Sequence, residues 1–248
     1  MLRVIQKYVA KIILGILDSL IGLFTENKAT IPATEVPYLN TLSAHNEIIL
    51  EEYMALIQSK NLFNIKDFYK VESEINYDNK WKAEPLVLFG HLFKENAELC
   101  PKTFEIISQI PGCKAAMFSV LEAGKYIPPH KGIYKGIYRC LYVLQLEKNA
   151  DCWIRIDNEK IFFEQGKMVI FDETVEHEVM NASSSNRVAL YLDIYRKLPF
   201  PLNVYNNILY YVIKRSPFVQ TIINEYKHLH NNKNVTVVPF KNKKEELA

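Results

Sequence analysis

Two patterns of hydrophobic and polar positions divide the chain. Residues 44–59 repeat apolar positions every three or four residues with acidic residues opposite, which predicts an amphipathic helix. A second helix is predicted from Pro101 to about residue 110, where a Pro-Gly pair ends it. From Cys113 onward, apolar and polar residues alternate, which indicates strands. These predicted strands cover residues 115–121, 138–146, 152–156, 160–163, 167–171, 178–180 and 187–195. Several short strands joined by turns predict a β-sandwich or barrel.

The two ends of the chain have a different pattern. Residues 4–24 are almost entirely apolar, and their few charged side chains fall on one narrow helical stripe. The longest uncharged run is well short of the ~20 residues that a spanning helix needs. The pattern favours a helix lying in a membrane surface, with a helix packed on its own domain as the alternative. Residues 202–223 combine aliphatic, aromatic and basic residues, which suits either a lipid headgroup boundary or a helix covering a sheet.

These shifts in pattern predict three parts. Residues 1–37 form an amphipathic helix followed by a proline-containing linker, and residues 38–200 form the β domain with its N-terminal helices. Residues 201–248 form apolar and basic helices that end in a solvated tail.

Charge is distributed unevenly along the chain. The 30 Lys and Arg residues nearly balance the 28 Asp and Glu residues, so no overall field would hold the protein on nucleic acid. Residues 196–248 nevertheless contain nine basic and three acidic residues, and residues 25–195 carry a net charge of −6. With four cysteines and no C-x-x-C spacing, no disulfide framework is expected. We therefore expect a cytoplasmic protein associated with the membrane surface through residues 1–24 and 202–223.

Two of the six histidines, His130 and His177, fall in the strand-rich block, 47 residues apart. Imidazoles brought together from separate strands at a barrel mouth are a plausible start for a transition-metal site. Two of six histidines also reach such a block by chance, so spacing alone favours a structural role.

Arg139 and Arg187 follow these histidines by nine and ten residues. A guanidinium inside a barrel needs a carboxylate or phosphate partner, because burying it unpaired costs several kcal/mol. An anionic small ligand beside a metal would satisfy both arginines. The alternative is that they face solvent or pair with Asp193 or Glu178.

An ordered set of short motifs resembles a known family. The motifs are Phe118-Ser119-Val120-Leu121, Pro129-His130-x-Gly132, Arg139, Val169-Ile170-Phe171-Asp172, Glu176-His177-Glu178-Val179 and Arg187. Together they resemble the aspartyl/asparaginyl β-hydroxylases, most strongly over residues 113–195. The resemblance implies a mainly β fold with flanking helices around a double-stranded β-helix, a jelly-roll and cupin-like core. It also implies an iron(II)-dependent dioxygenase that uses 2-oxoglutarate and O2 as cosubstrates.

The resemblance also assigns roles to individual residues. It implies that His130 and His177 are the catalytic iron ligands. Ser119 and Arg187 would hold the distal carboxylate of 2-oxoglutarate, and Arg139 would lie near its metal-chelating end. Many oxygenases of this type carry a third, acidic ligand two residues after the first histidine.

Two neighbouring positions modify this picture. The third-ligand position is Gly132, a gap that the family shares, and Asp172 is expected beside the metal rather than on it. Leu141 departs from the histidine of the animal members, which leaves the finer cosubstrate contacts open.

The family's substrates are of two kinds. One branch hydroxylates Asp or Asn in peptides and proteins, and the other hydroxylates the acyl chain of a membrane lipid such as lipid A. The apolar and basic ends of this chain favour the lipid branch. A catalytically inactive barrel that acts as a binding module is a third possibility, because this fold hosts many non-enzymes.

Overall fold

The computed structural model describes residues 15–16, 18–69, 75, 77–132, 134–230 and 235–244. Its centre is a pair of antiparallel sheets. The helices are residues 18–24 (α1), Asn40–Ala44 (α2), Asn46–Ser59 (α3), Ile65–Phe68 (α4), Lys94–Leu99 (α5), Pro101–Ser108 (α6), Leu202–Arg215 (α7) and Pro217–Leu229 (α8). The strands are Phe63–Asn64 (β1), Trp81–Leu88 (β2), His91–Phe93 (β3), Cys113–Leu121 (β4), Tyr126–His130 (β5), Ile137–Gln145 (β6), Cys152–Ile156 (β7), Glu159–Phe162 (β8), Met168–Phe171 (β9), His177–Asn181 (β10), Arg187–Tyr195 (β11) and Val237–Pro239 (β12).

Eight consecutive strands, β4 to β11, are shared between the two sheets. The larger sheet has the order β12-β3-β2-β4-β11-β6-β9, with β1 beside β2, and the smaller has the order β5-β10-β7-β8. The chain thus alternates between sheets in the two interlocked Greek keys of a jelly roll. The predicted fold class, a double-stranded β-helix with flanking helices, is confirmed.

The central strands of the larger sheet are buried on both faces. All nine residues of β4 are buried, and alternate positions belong to different apolar clusters. Phe118 and Leu190 lie in the cluster with α3 and α6 on the outer face, whereas Met117 and Tyr191 lie in the cluster that fills the space between the sheets. Side-chain alternation therefore determines which residues reach the barrel interior.

The predicted helices and strands are mostly present, and the exceptions have physical causes. Strand β5 escapes sequence detection because Pro128 and Pro129 interrupt its alternation, yet it pairs with β10. Residues 237–239, within the predicted solvated tail, instead form an edge strand on β3. Part of the predicted linker packs along β9, where the Ile31 amide donates to the Ile170 carbonyl at 2.8 Å.

The N-terminal helix is only partly described. Of the amphipathic helix predicted over residues 4–24, residues 4–14 and 17 lie outside the described residues, and residues 18–24 are helical. Every helix in the described part of the chain is too short or too polar to cross a bilayer.

Candidate active site

His130 and His177 meet at one end of the barrel. They are paired residues of the antiparallel strands β5 and β10, and their ring centroids lie 4.2 Å apart. His177 is 3% exposed and contacts the Phe171 ring edge-on at 4.9 Å between centroids. The two histidines that the sequence analysis singled out are therefore adjacent side chains, brought together by strand pairing across 47 residues of chain.

Backbone carbonyls set the tautomer of both rings. His130 Nδ1 lies 2.8 Å from the Pro128 carbonyl oxygen, and His177 Nδ1 lies 2.8 Å from the Val175 carbonyl oxygen. Because a carbonyl oxygen only accepts, each Nδ1 carries the hydrogen and each Nε2 keeps its lone pair. This second-nitrogen anchoring is typical of metal-binding histidines.

Burial keeps both imidazoles neutral. Burial, together with the neighbouring His130, lowers the pKa of His177 to about 3. Burial and the charge of Arg139 lower the pKa of His130. Neutral rings with free Nε2 atoms are the form that binds a transition metal, so the pair fits an iron(II) ion.

The third-ligand position is closed by another residue. A Cβ atom added to Gly132 would lie 2.4 Å from Cδ of Glu173, so glycine is required while that carboxylate occupies the space. The Gly132 amide also donates to the Glu173 carbonyl oxygen at 2.7 Å. Within the described ranges, no group of three or more His, Cys, Asp or Glu side chains could hold a metal. Two histidines are thus the protein ligand set that the described residues offer.

Arg139 is already paired inside the barrel. It donates to Asp193 through Nε at 3.0 Å and Nη2 at 3.2 Å, and its Nη2 also contacts Glu173. Its guanidinium stacks on Tyr191, with Cζ 4.5 Å from the ring centroid. The interpretation that left Arg139 paired with Asp193 is the one the structure supports. Its predicted contact with the cosubstrate stays a prediction.

Arg187 has the opposite environment. Its side chain is 2% exposed, and its Nε and Nη1 atoms have no hydrogen-bond partner in the described part of the protein. The Phe163 ring lies 5.3 Å from its Cζ atom, and burial lowers its pKa. A guanidinium stays charged at neutral pH even so. The barrel therefore holds a buried cation, two of whose donor atoms have no acceptor among the described residues.

Ser119 lies in the same region, with a partner that the sequence analysis missed. Ser119 is 1% exposed, and its Oγ accepts a hydrogen bond from the Trp81 indole Nε1 at 3.1 Å. Trp81 pairs with Leu121 on one side of β4, and Arg187 pairs with the same residue on the other side. With the indole hydrogen directed at Oγ, the Ser119 hydroxyl hydrogen is free to donate to an anion. Only the folding of β2 against β4 reveals this role, because no local motif marks Trp81.

Asp172 is held by basic residues and by Thr174, and its expected place beside the metal stays a prediction. Its buried carboxylate pairs with Arg196 at 3.1 Å and Lys135 at 3.2 Å. It also accepts from Thr174 through the backbone amide at 3.0 Å and the hydroxyl at 2.6 Å. The next residue, Glu173, is the acid that reaches Gly132.

The sequence blocks and the geometry agree with one family. The model of the aspartyl/asparaginyl beta-hydroxylase family matches residues 43–197, well over half of the chain. The chain belongs to this family. The match spans helix α3 and every strand from β1 to β11, so it includes both histidines and both arginines of the candidate site.

Two relatives illustrate the breadth of the family. An ornithine lipid ester-linked acyl 2-hydroxylase from Rhizobium tropici is 31% identical over 189 residues, covering 76% of this chain and 67% of that protein. The human aspartyl/asparaginyl beta-hydroxylase is 27% identical over 163 residues, covering 63% of this chain and 21% of that protein. The similarity to hydroxylases indicates that this chain is an enzyme of the hydroxylase type.

Proposed function

We propose that this protein is an iron(II)- and 2-oxoglutarate-dependent dioxygenase that hydroxylates an acyl chain of a membrane lipid, lipid A-like or otherwise. In this reaction one oxygen atom of O2 enters a C–H bond of the lipid. The other enters 2-oxoglutarate, which leaves as succinate and CO2. Iron(II) and the cosubstrate supply the oxidising chemistry when they are bound, so the protein contributes binding, orientation and exclusion of water.

The buried guanidinium of Arg187, whose Nε and Nη1 have no partner in the described part of the protein, carries this proposal. A buried charge without a partner costs several kcal/mol, and a bidentate carboxylate is the partner that guanidinium geometry matches best. The distal carboxylate of 2-oxoglutarate would accept from Arg187 and from the Ser119 hydroxyl. The free protein is thus destabilised by this buried charge, and binding of a dianion would remove the destabilisation.

The position of Arg187 relative to the histidines supports the same ligand. Strand β10 runs from His177 to Asn181, and the chain then returns to Arg187 at the start of β11. Asn181 Nδ2 donates to the carbonyl of Leu121 at 2.9 Å, and Leu121 is the strand partner of Arg187. His177 and Arg187 are therefore separated along the strand direction by the length of β10, which is about 13 Å. An extended dicarboxylate together with the long arginine side chain suits that depth.

The two histidines would hold the iron through their Nε2 atoms. The Glu173 carboxylate is already paired with Arg139, so these two residues would flank the site as an ion pair and would not act as metal ligands. The apolar wall of Phe171 and Leu141 would exclude water from the reacting centre.

The lipid substrate is supported by the acyl hydroxylase among the relatives and by the apolar helix faces described below. The peptide alternative is supported by the human relative, which is similar over 63% of this chain. Both substrates present an unactivated C–H bond, so the cosubstrate site does not discriminate between them.

A direct assay separates these possibilities. The purified protein would be incubated with iron(II), ascorbate, 2-oxoglutarate and ¹⁸O2, together with ornithine lipid, lipid A or a disulfide-bonded peptide containing Asp and Asn. We expect a mass increase on a lipid acyl chain with stoichiometric succinate, and we expect His177→Ala to abolish both. Incorporation only into the peptide would establish the alternative. Failure of the wild-type protein to bind 2-oxoglutarate would refute the dioxygenase proposal.

A further inference from the structure

Helix α7 presents two different faces. Its inner face buries Leu202, Asn206 and Tyr210. Its outer face leaves five apolar or aromatic side chains between 43% and 57% exposed, namely Val204, Tyr205, Ile208, Tyr211 and Val212. These positions recur at i, i+1, i+4, i+7 and i+8 and therefore form one continuous stripe. A contiguous exposed stripe of this kind marks an interaction site.

Helix α1 packs on the same apolar cluster as α7. Its Ile21 is buried there together with Leu202 and Tyr210 of α7. Leu23 and Phe24, at the end of α1, are 78% and 68% exposed. We call the outer stripe of α7 together with Leu23 and Phe24 the α1/α7 face.

The α1/α7 face adjoins the candidate active site through one loop. The loop that joins β5 to β6 begins directly after His130. Its Lys135 amide donates to Asp18 of α1 at 2.9 Å, and its Gly136 carbonyl accepts from Asn206 of α7 at 3.0 Å. A Cβ atom at Gly136 would lie 2.0 Å from Asn206 Oδ1, so this close approach requires glycine. Both helices are therefore anchored a few residues from an iron-ligand candidate.

The charge of α7 indicates what covers this face. The helix contains no acidic residue and ends in Lys214-Arg215. Arg215 lies over the Tyr211 ring, with Cζ 3.5 Å from the centroid. Tyrosine and basic residues beside aliphatic ones suit the headgroup level of an anionic bilayer. In a two-fold dimer, a second copy of the chain would present the same patch to this face. Because the patch contains no acidic residue, Arg215 would have no partner there.

We propose that the α1/α7 face is a membrane-binding surface that lies in the boundary between headgroups and acyl chains of an anionic bilayer. The inference deepens the proposed function and rests on it, because such docking would place the barrel mouth next to the acyl chains that the enzyme hydroxylates. Helix α7 would lie in the interface rather than across the membrane, because its 14 residues fall short of the ~20 that a spanning helix needs.

Vesicle flotation tests the inference without reference to turnover. The full-length protein would be mixed with vesicles of phosphatidylcholine alone or with 30% phosphatidylglycerol. We expect flotation with the anionic vesicles and at least tenfold weaker partition for Ile208→Ser/Val212→Ser. Met54→Ser, at a 41% exposed position on α3, is the matched control and should float like the wild type. Binding of 2-oxoglutarate to the Mn(II)-loaded double variant should be unchanged, which shows that its barrel is intact.

The possible results separate the two proposals. Equal flotation of wild type and double variant, or no flotation of the wild type, would overturn the membrane surface while leaving the dioxygenase proposal untouched. A wild-type dimer that dissociates in the double variant without vesicle binding would identify a second copy as the occupant and overturn the inference. Normal flotation without any 2-oxoglutarate binding would refute the dioxygenase proposal and leave the membrane surface standing.

Discussion

Arg187→Met should change stability and cosubstrate binding in opposite directions. In the free protein, the variant removes a buried positive charge whose Nε and Nη1 atoms have no partner in the described structure. Methionine keeps much of the apolar volume against Phe163. The same change removes the cation that would hold the distal carboxylate of 2-oxoglutarate. If Arg187 had a purely structural role, its loss would break contacts. The variant would then be less stable than the wild type and would bind 2-oxoglutarate equally well.

The magnitudes follow from the burial of this side chain. Replacing buried ionic groups by apolar ones of similar volume is often stabilising, by about 1–4 kcal/mol. We therefore expect the ligand-free variant to gain free energy of unfolding within that range. Binding should weaken by about 2–5 kcal/mol, which is roughly thirtyfold to several thousandfold in Kd. At a ligand concentration of about 100 times the wild-type Kd, 2-oxoglutarate should stabilise the wild type by ~2.7 kcal/mol and the variant by ~0.9 kcal/mol or less.

Urea unfolding measures both effects in one series. Wild type and variant would be unfolded anaerobically as Mn(II)-loaded protein, with and without 2-oxoglutarate, and titration calorimetry would give Kd. Arg155→Met is the matched control, because its guanidinium pairs with Glu178 on the outside of the smaller sheet. The control should leave 2-oxoglutarate affinity unchanged. An Arg187→Met protein that is less stable than wild type by 1 kcal/mol or more, or that binds within threefold of wild type, would refute the reasoning.

Three further predictions concern the neighbouring residues. Trp81→Phe removes the indole donor to Ser119 and should weaken 2-oxoglutarate binding by about fivefold, the value of one hydrogen bond of about 1 kcal/mol, as measured by calorimetry. Gly132→Asp should not create a third metal ligand, because Glu173 fills that space; Mn(II) affinity should rise only when Glu173→Ala is added. Arg196→Met, which leaves a buried carboxylate short of one partner, should lower the free energy of unfolding by about 3 kcal/mol in urea.

Each of these predictions has a result that contradicts it. Unchanged 2-oxoglutarate affinity in Trp81→Phe would mean that Ser119 does not need its indole partner. Tighter Mn(II) binding in Gly132→Asp alone would show that Glu173 yields its position easily. For Arg196→Met, the control is Lys102→Met, which breaks an exposed ion pair; equal stability of these two variants would show that the buried pair adds nothing.

Many strands could be predicted from the sequence because successive side chains of a strand point to opposite faces of the sheet. This alternation gives the apolar positions a period of two residues. Predicted strands at residues 152–156 and 187–195 coincide with β7 and β11, since alternation of apolar positions is a local property. Sequence reasoning missed β1, β2 and β3, which precede the alternating block that begins at Cys113. It also missed β5, where two prolines hide the period, and β12, whose pairing with β3 comes from residues more than 140 positions earlier. Such edge pairings leave little local trace, because few of their side chains are buried.

The sequence by itself determined a β-sandwich or barrel, through strand periodicity. The resemblance of its ordered motifs to a known family added the jelly-roll class and the candidates His130, His177, Ser119, Arg139 and Arg187. Only the tertiary structure decided which of the two arginines has a carboxylate partner. Arg139 meets Asp193 across neighbouring strands, whereas no described carboxylate reaches Arg187. The reason is physical. A motif specifies a side chain and its place on a strand, but its partners arrive from strands distant in sequence and exist only after the sheets have closed.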